Sequence, residues 1–387
     1  MTAQRAAELF RETFGEEPEG VWSAPGRVNL IGEHTDYNGG LCLPIALPHR
    51  TYAALRRRDD GRLRMVSAQG DGLVETSLDE VGPGSPEGWA AYVAGVPWAL
   101  ARAGHEVGGF DVAVDGGVPL GAGLSSSAAL ECAVAAAVSD TGGLGLLDST
   151  RGRAALAAAC VEAENTVAQA PTGGMDQSAA LLASAGHALL LDCRDHSTEQ
   201  VPFDLDAHGL ALLVVDTRAE HALVDGQYAE RRDSCERAAR ELGVSTLREI
   251  PLEGLDEALS SLSGDLLRRR ARHVVTEIAR VEAAREALRA DDFERLGELF
   301  LESHASMRDD FEISVPELDT AVTAATGAGA LGARMTGGGF GGSAIALVRR
   351  EDADAARAAV EKAFADRGFT APECFVVSAS DPAGRDL

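Results

Sequence analysis

The chain has 387 residues, of which 45% are hydrophobic and 25% are charged, a composition typical of globular proteins. A chain of this length buries roughly 75% of its unfolded surface and is long enough for two domains. Its formal net charge is −26, and so acidic a surface repels nucleic acid and anionic lipid. We therefore expect no nucleic-acid partner and no membrane partner. The charge does not determine the oligomeric state, for which a monomer or weak dimer is expected.

Targeting and metal-binding signals are absent from the sequence. The longest apolar runs, such as 210–215, are far shorter than the roughly 20 residues of a membrane span, and the first 17 residues lack the pattern of a signal peptide. None of the six cysteines lies in a CxxC pair, and the nine histidines show no HxxxH or HExxH spacing. Reduced thiols in a soluble cytoplasmic protein are expected, and a tight transition-metal site is not.

Hydrophobic periodicity and turn residues predict the elements in chain order. A helix over 4–14 precedes a strand over 21–24, which is predicted to end at Pro25 and Gly26 before a polar loop over 27–40. Strands and helices then mix without strict alternation, which predicts an α+β fold. The further strands are predicted over 52–57, 62–67, 73–78, 110–114, 187–192, 210–216, 331–336, 343–348 and 373–378, and the further helices over 89–103, 125–139, 154–170, most of 228–308 and 352–366.

The chain contains a single lysine, Lys362. It lies in the predicted helix 352–366, far in sequence from every glycine-rich loop. The Walker motif GxxxxGK[ST] and the protein-kinase loops both depend on a lysine, and neither pattern is present. A site for a polyanion such as ATP must therefore work without a lysine side chain.

A glycine–serine segment lies directly before the helix predicted over 125–139. Glycines let backbone N–H groups approach a ligand, and serines at a helix start direct N–H groups and hydroxyls at an anion, aided by the helix dipole. This pattern predicts a phosphate cradle, and the alternative is a plain serine N-cap after a turn. The segment consists of Gly121, Gly123, Leu124, Ser125, Ser126, Ser127 and Ala128, together with Ala122.

A second glycine-rich loop, 336–343, contains Gly337, Gly338 and Gly339. It matches GxGxxG formally, but a strand is predicted after it where the dinucleotide fold requires a helix. The alternative is a flexible hairpin. Several glycines between apolar strands are costly in conformational entropy, so a close approach of the backbone to a ligand is the better explanation.

The loop after the first strand brings together Arg27, Glu33, His34 and Asp36. Carboxylates accept paired hydrogen bonds from vicinal sugar hydroxyls, and arginine pairs with a catalytic carboxylate or a phosphate. The alternative is a polar surface turn. Farther along, Asp176 follows two glycines at a helix start, where a simple cap is the alternative, and a lone acid such as Glu164 is expected to be solvated surface.

Three motifs resemble those of a known family. The segment 26–40 resembles the signature of the galactokinases, while 119–128 and 332–342 resemble the ATP loop and third motif of the superfamily that includes homoserine and mevalonate kinases. The resemblance implies two α/β domains with the active site between them. Residues 1–180 would form a ribosomal-S5-like domain, and 181–387 would form a ferredoxin-like domain that carries the third motif.

The resemblance also implies the reaction, the transfer of the γ-phosphoryl group of ATP to the 1-hydroxyl of galactose. Asp176 matches the family's catalytic aspartate and Arg27 the arginine beside it, while Ser126 and Glu164 match its Mg²⁺ ligands, both hard oxygen donors. Contacts to the sugar are implied for Glu33, His34, Asp36, Gly173 and Tyr228. Contacts to ATP are implied for the glycine–serine segment and for Gly337, Gly338 and Gly339.

Two alternatives remain open at this stage. One is a kinase of a related sugar, such as N-acetylgalactosamine or arabinose. The other is a non-catalytic sensor of galactose and ATP, but such regulators tend to have a damaged ATP loop, whereas Ser126, Ser127, Ala128 and Asp176 are intact here. The chain departs from the family pattern at Gly174, where the family usually has a bulkier residue.

Overall fold

A computed structural model describes residues 2–219 and 224–387, and those residues form a mixed fold that confirms the predicted α+β class. The strands are β1 (Gly20–Asn29), β2 (Leu41–Cys42), β3 (Pro44–Arg58), β4 (Arg62–Ser67), β5 (Leu73–Ser77), β6 (Gly109–Gly116), β7 (His187–Asp192), β8 (Ser197–Pro202), β9 (Leu210–Asp216), β10 (Gly332–Thr336), β11 (Ser343–Arg349), β12 (Glu373–Val377) and β13 (Gly384–Arg385). The helices are α1 (Ala3–Phe14), α2 (Trp89–Arg102), α3 (Ser126–Thr141), α4 (Thr150–Glu162), α5 (Met175–Leu182), α6 (Val224–Leu242), α7 (Leu255–Ser261), α8 (Asp265–Arg289), α9 (Phe293–Ser306), α10 (Pro316–Gly327) and α11 (Ala353–Arg367).

The first sheet has the strand order β13-β1-β3-β6-β4-β5 and is antiparallel except for the pairing of β4 with β6. Helix α3 packs against β1 and β3 and contacts α2, α4 and α5. Its residues 132–137 are one cysteine, four alanines and one valine, all buried. Small side chains allow the helix to approach the sheet closely, and this brings the start of α3 next to the end of β1.

Strand β1 extends farther than the sequence predicted. The predicted end at Pro25 and Gly26 is wrong, because the strand continues to Asn29 with a register shift between Pro25 and Arg27. Proline has no N–H to donate, and such a bulge accommodates it inside a strand. A Cβ on Gly26 would lie 2.6 Å from the carbonyl oxygen of Leu124. Arg27 therefore lies on a strand, held against the glycine–serine segment, rather than in a loop.

The second sheet has the order β10-β11-β9-β12 and is antiparallel throughout. In chain order it runs β9, five helices, β10, β11, α11 and β12, which is the ferredoxin-like arrangement. Strand β9 is buried along its whole length and apolar up to Asp216, its last residue. A small third sheet, β2-β7-β8, packs near the loop 30–40.

The chain returns to the first sheet at its last strand. Trp22 of β1 pairs with Arg385 of β13, and the N–H of Val21 donates to the carbonyl oxygen of Leu387 at 3.1 Å. The predicted division at residues 180 and 181 therefore assigns β13 to a different part of the chain from the sheet it joins. The division itself stays a prediction.

Other elements differ from the sequence prediction in detail. The helix predicted over 154–170 is α4 followed by a π-helical turn, Ala163–Val167. Helix α10 was not predicted, although Pro316 at its first turn is a typical start signal. None of the helices in the described ranges has both the length and the apolar character needed to cross a bilayer.

Candidate active site

Three segments from distant parts of the chain meet at one cavity of about 360 Å³. They are the end of β1, the glycine–serine segment 121–128 (the serine loop) and the segment 336–342 (the third glycine loop). Helix α5 adds Asp176. The cavity is lined by Arg27, Gly121, Gly123, Leu124, Ser125, Ser126, Ser127, Asp176, Thr336, Gly338, Gly339 and Gly341.

Arg27 and Asp176 form a bidentate pair at this cavity. Nε of Arg27 donates to Oδ1 of Asp176 at 2.9 Å, and Nη2 donates to Oδ2 at 3.0 Å. The third nitrogen, Nη1, donates to the carbonyl oxygen of Gly123 at 2.6 Å. Arg27 is buried, whereas the Asp176 side chain is 22% exposed. The arginine thus fixes a carboxylate whose surface still opens to the cavity.

The serine loop is not a plain N-cap, so that alternative is wrong. Ser125 precedes α3 in the left-handed region, with φ of 61°, and makes no side-chain capping bond. Its hydroxyl donates to Asp176 instead. Ser126 and Ser127 open the helix and line the cavity, so the positive end of the α3 dipole faces it. Ala128, predicted to contact ATP, is buried in α3.

The third glycine loop packs tightly, which contradicts the flexible-hairpin alternative. A Cβ on Gly337, where φ is +86°, would lie 2.9 Å from the carbonyl oxygen of Gly123. At Gly339, where φ is +82°, a Cβ would lie 2.6 Å from the carbonyl oxygen of Ile313. The Ser343 hydroxyl donates to the carbonyl oxygen of Ala122 at 2.7 Å. The two glycine loops therefore fit directly against each other.

Asp36 lies near the Arg27–Asp176 pair and against Gly173. A Cβ on Gly173 would lie 2.0 Å from Oδ2 of Asp36, so only glycine leaves this carboxylate in place. Burial, and secondarily the negative charge of Asp176, raise the pKa of Asp36 to about 6. Gly174 has φ of +91°, a left-handed conformation that favours glycine.

Three aromatic rings cluster beside Asp36. The ring of Tyr228 on α6 lies 5.1 Å from that of His34 and 5.6 Å from that of Tyr37, measured between centroids. Burial raises the pKa of Tyr228 well above its usual range. The structure thus brings together Asp36, Gly173 and Tyr228, and their contacts to a sugar stay predictions.

Glu33 and His34 face the third glycine loop. Oε1 of Glu33 accepts the N–H of Gly337 at 3.0 Å. Nε2 of His34 lies 3.0 Å from the carbonyl oxygen of Gly338, and Nδ1 lies 2.8 Å from the Tyr37 hydroxyl. Burial lowers the pKa of His34 to about 3, so the ring is neutral and donates from Nε2. Contacts of these two residues to a sugar also stay predictions.

Glu164 is buried on the π-helical turn, so the solvated-surface alternative is wrong for it. Nε2 of Gln177 donates to its carboxylate and also to Glu131, at 3.1 Å. Burial, and secondarily the charge of Asp176, raise the pKa of Glu164 to about 7. Ser127, which lines the cavity, also bonds Glu164. A carboxylate and the Ser126 hydroxyl are hard oxygen donors, which fits Mg²⁺ held partly by phosphate oxygens.

No cluster of three or more His, Cys, Asp or Glu side chains with a metal-binding arrangement occurs in the described part of the chain. The wider cleft beside Trp98 and Arg102, about 1050 Å³ in volume, contains none of the predicted site residues. The smaller cavity is the one lined by the Arg27–Asp176 pair and the two glycine loops.

A smaller pocket of about 160 Å³ adjoins the 360 Å³ cavity, and Ser126 lines both. The sequence did not predict this pocket. Trp89, Val118 and Leu130 give it apolar walls, while Gln69 adds an amide. The one residue that could have indicated this pocket is Leu120, which lines it and is 71% exposed beside the serine loop. An exposed leucine in a polar loop is consistent with an apolar ligand surface.

Comparisons with known proteins give a consistent result. Models described as the galactokinase galactose-binding signature, the GHMP kinases N terminal domain and GHMP kinases C terminal match residues 8–57, 91–184 and 284–366. The chain is 54% identical to a galactokinase from Streptomyces coelicolor over 375 residues, which cover 96% of each chain.

Solved structures give the same answer. Lactococcus lactis galactokinase complexed with galactose superposes with a TM-score of 0.93 at 34% identity, covering 99% of each chain. Methanococcus jannaschii mevalonate kinase, with a TM-score of 0.62 at 17% identity over 93% of this chain and 98% of that one, shares the fold. The resemblance in the three motifs is confirmed, and the chain belongs to the galactokinase family of the GHMP kinases.

Proposed function

We propose that this chain transfers the γ-phosphoryl group of ATP to the 1-hydroxyl of galactose, which gives galactose 1-phosphate and ADP and begins galactose use. The observation that carries the proposal is the bidentate Arg27–Asp176 pair at a cavity bounded by the two glycine loops. A carboxylate fixed beside phosphate-binding backbone is suited to phosphoryl transfer to a hydroxyl.

The sugar is proposed to lie against Asp36, Gly173 and Tyr228. The Asp36 carboxylate can accept hydrogen bonds from the neighbouring 3- and 4-hydroxyls, and Glu33 and His34 would lie toward the 6-hydroxyl. An epimer at the 4-position would leave a buried acceptor unpaired, at a cost of about 1–3 kcal/mol or more. This supports galactose over glucose.

The nucleotide is proposed to occupy both pockets at once. Trp89 and the aliphatic side chains of the smaller pocket would enclose the purine, and the serine loop would receive the phosphates. Ser126 borders both cavities, so a single molecule with an apolar ring and a polyanionic tail suits the pair. The exposed ion pair of Lys362 with Asp366 on α11 plays no part in this arrangement.

In the transfer, Asp176 is proposed to accept the proton of the 1-hydroxyl as that oxygen attacks the γ-phosphorus. Arg27 holds and orients the carboxylate through two hydrogen bonds, and the N–H groups of the loops face the transferring charge. Ser126 and Glu164 would hold Mg²⁺. When bound, Mg²⁺ supplies positive charge to the phosphate oxygens.

The compartment is proposed to be the cytoplasm. The six cysteines are unpaired in the described residues, and such thiols suit a reducing compartment.

The test is ATP consumption by the purified chain with galactose, glucose, N-acetylgalactosamine and arabinose. Turnover with galactose, and strong rejection of glucose, are expected. Faster turnover with N-acetylgalactosamine or arabinose would instead indicate a kinase of that sugar. Galactose and ATP binding without turnover would indicate a sensor. Equal turnover of glucose and galactose would contradict the role given to Asp36.

Galactose affinity is expected to fall below pH 6. The pKa of Asp36 is raised to about 6, and the ionised carboxylate is the better acceptor, so protonation removes a sugar contact. At one pH unit below this pKa the affinity should be about tenfold weaker, because about one tenth of the carboxylate is ionised. Calorimetric titration with galactose between pH 5 and 8 measures this. In Asp36→Asn the same pH dependence should be absent, and its persistence would assign it to another group.

A further inference from the structure

Arg334 lies on β10, directly before the third glycine loop, and its side chain is fully buried. Its Nη1 donates to the carbonyl oxygen of Leu30 at 2.8 Å and to that of Asn29 at 3.3 Å. Its Nη2 donates to the carboxylate of Glu33. These partners lie 301 to 305 residues earlier in the chain, so one guanidinium fastens two distant segments.

The charge of Arg334 is balanced within the protein. Nη2 lies 3.5 Å from Glu277 as well as next to Glu33, and Arg280 donates to Glu277 at 2.8 Å. Although burial raises the pKa of Glu277, Arg280 and Arg334 lower it to about 2. Glu277 also accepts the N–H of Gly32 at 3.0 Å. Two arginines and two acids thus form one buried network behind the loop 30–34, and removing one partner leaves an unpaired charge.

Oε1 of Glu33 extends this network to the 360 Å³ cavity, which is called the phosphate cavity below. It accepts the N–H of Gly337 at 3.0 Å and the hydroxyl of Thr336 at 3.3 Å. Thr336 and Gly338, on either side of Gly337, line the cavity. Gly337 also packs on the serine loop at Gly123. A small movement of Glu33 would therefore move backbone that faces the phosphates.

We propose that Arg334 is a positioning residue for phosphoryl transfer: through Glu33 it fixes the Gly337 amide and the third glycine loop at the edge of the phosphate cavity. The same guanidinium holds the carbonyl groups of Asn29 and Leu30, just after Arg27 on the chain. Arg334 thereby also orients the end of β1, which carries Arg27. This inference rests on the proposed function and deepens it, because it assigns a role in the same reaction to a residue outside the cavity lining.

Arg334→Met tests the inference, because methionine fills much of the same space without the charge or the donors. We expect kcat, measured at saturating galactose and ATP on folded protein, to fall about 10- to 100-fold, the effect of a displacement of about 1 Å at a reacting centre. The dissociation constant for galactose, from calorimetry, should change less than kcat. Arg334→Lys keeps the charge beside Glu33 but cannot donate to the carboxylate and to both carbonyl groups at once. Its kcat should therefore lie between that of the native enzyme and that of Arg334→Met.

Arg50→Met is the matched control. Arg50 also fastens distant segments, because it donates to the carbonyl oxygens of Asp381 and Pro382, each at 2.8 Å. None of these three residues lines either active-site cavity. We expect Arg50→Met to lower the midpoint of thermal unfolding and to leave kcat of the folded enzyme within about twofold of native, since the reacting groups keep their positions.

A purely structural role would give a different result. If folded Arg334→Met keeps a near-native kcat, or loses no more than Arg50→Met does, the inference is overturned. If Arg334→Met does not fold, Arg334→Lys decides in the same comparison. Failure of the proposed function would be distinct, because the native chain itself would then consume no ATP with galactose.

Discussion

Asp176→Asn is expected to lower kcat by about two orders of magnitude or more. The sugar hydroxyl is a poor nucleophile at neutral pH, and a positioned base contributes roughly 10²–10⁴-fold. In the structure Asp176 accepts two bonds from Arg27 and one from Ser125, so it is fixed at the cavity. Asparagine keeps the shape but cannot take the proton. Steady-state kinetics with galactose and ATP measure the loss, and calorimetry should show that both substrates still bind.

The control is Asp309→Asn. Asp309 forms the same bidentate geometry with Arg308, at 2.7 Å for each bond, but on the surface away from the cavity. Its substitution should leave kcat unchanged. Asp176→Ala separates two roles, because a smaller loss in Asp176→Asn than in Asp176→Ala would show that positioning dominates over proton transfer. The proposed role fails if Asp176→Asn turns over galactose within a few-fold of the native rate.

Gly173→Ala is expected to weaken galactose binding by about 10- to 100-fold, the cost of displacing one charged hydrogen-bonding group. The new Cβ would lie 2.0 Å from Oδ2 of Asp36 and 2.5 Å from its Cγ. Because these distances are far shorter than any real contact, the Asp36 carboxylate must move out of its position. The Michaelis constant for galactose should rise, while ATP binding to the serine loop should be unaffected.

Gly327→Ala is the matched glycine substitution. A Cβ at this position would meet nothing within 4 Å, and the backbone is not left-handed. The dissociation constant and the Michaelis constant for galactose should therefore both stay native. If Gly173→Ala also binds galactose normally, with its fold intact by circular dichroism, Asp36 does not form the sugar contact proposed here.

Local sequence signals were enough for strands that consist of a continuous apolar run. The apolar runs 187–192 and 210–216 coincide with β7 and β9. The predicted end of β1 was wrong. Pro25 and Gly26 are typical of a strand end, but pairing with β3 continues past them across a bulge. A pattern along the chain does not reveal such a partner strand.

The site shows the same division. The serine loop and the third glycine loop could be predicted, since their glycines are contiguous in sequence. The burial of Glu164 could not be predicted, because its carboxylate is enclosed by Gln177 of α5 and Ser127 of α3, which only the fold brings close. The pocket around Trp89 and the contacts of Arg334 with the loop 30–33 likewise depend on residues brought together only by the fold.

The single lysine has a consequence for chemical probes of this chain. Acylating reagents directed at a lysine beside the nucleotide phosphates have no target in either cavity, because Lys362 is the only lysine side chain and lies exposed on α11. The same side chain offers the only lysine amine for attachment. A dye or a solid support attached there would lie on the exposed face of α11 and would leave both cavities around Ser126 open.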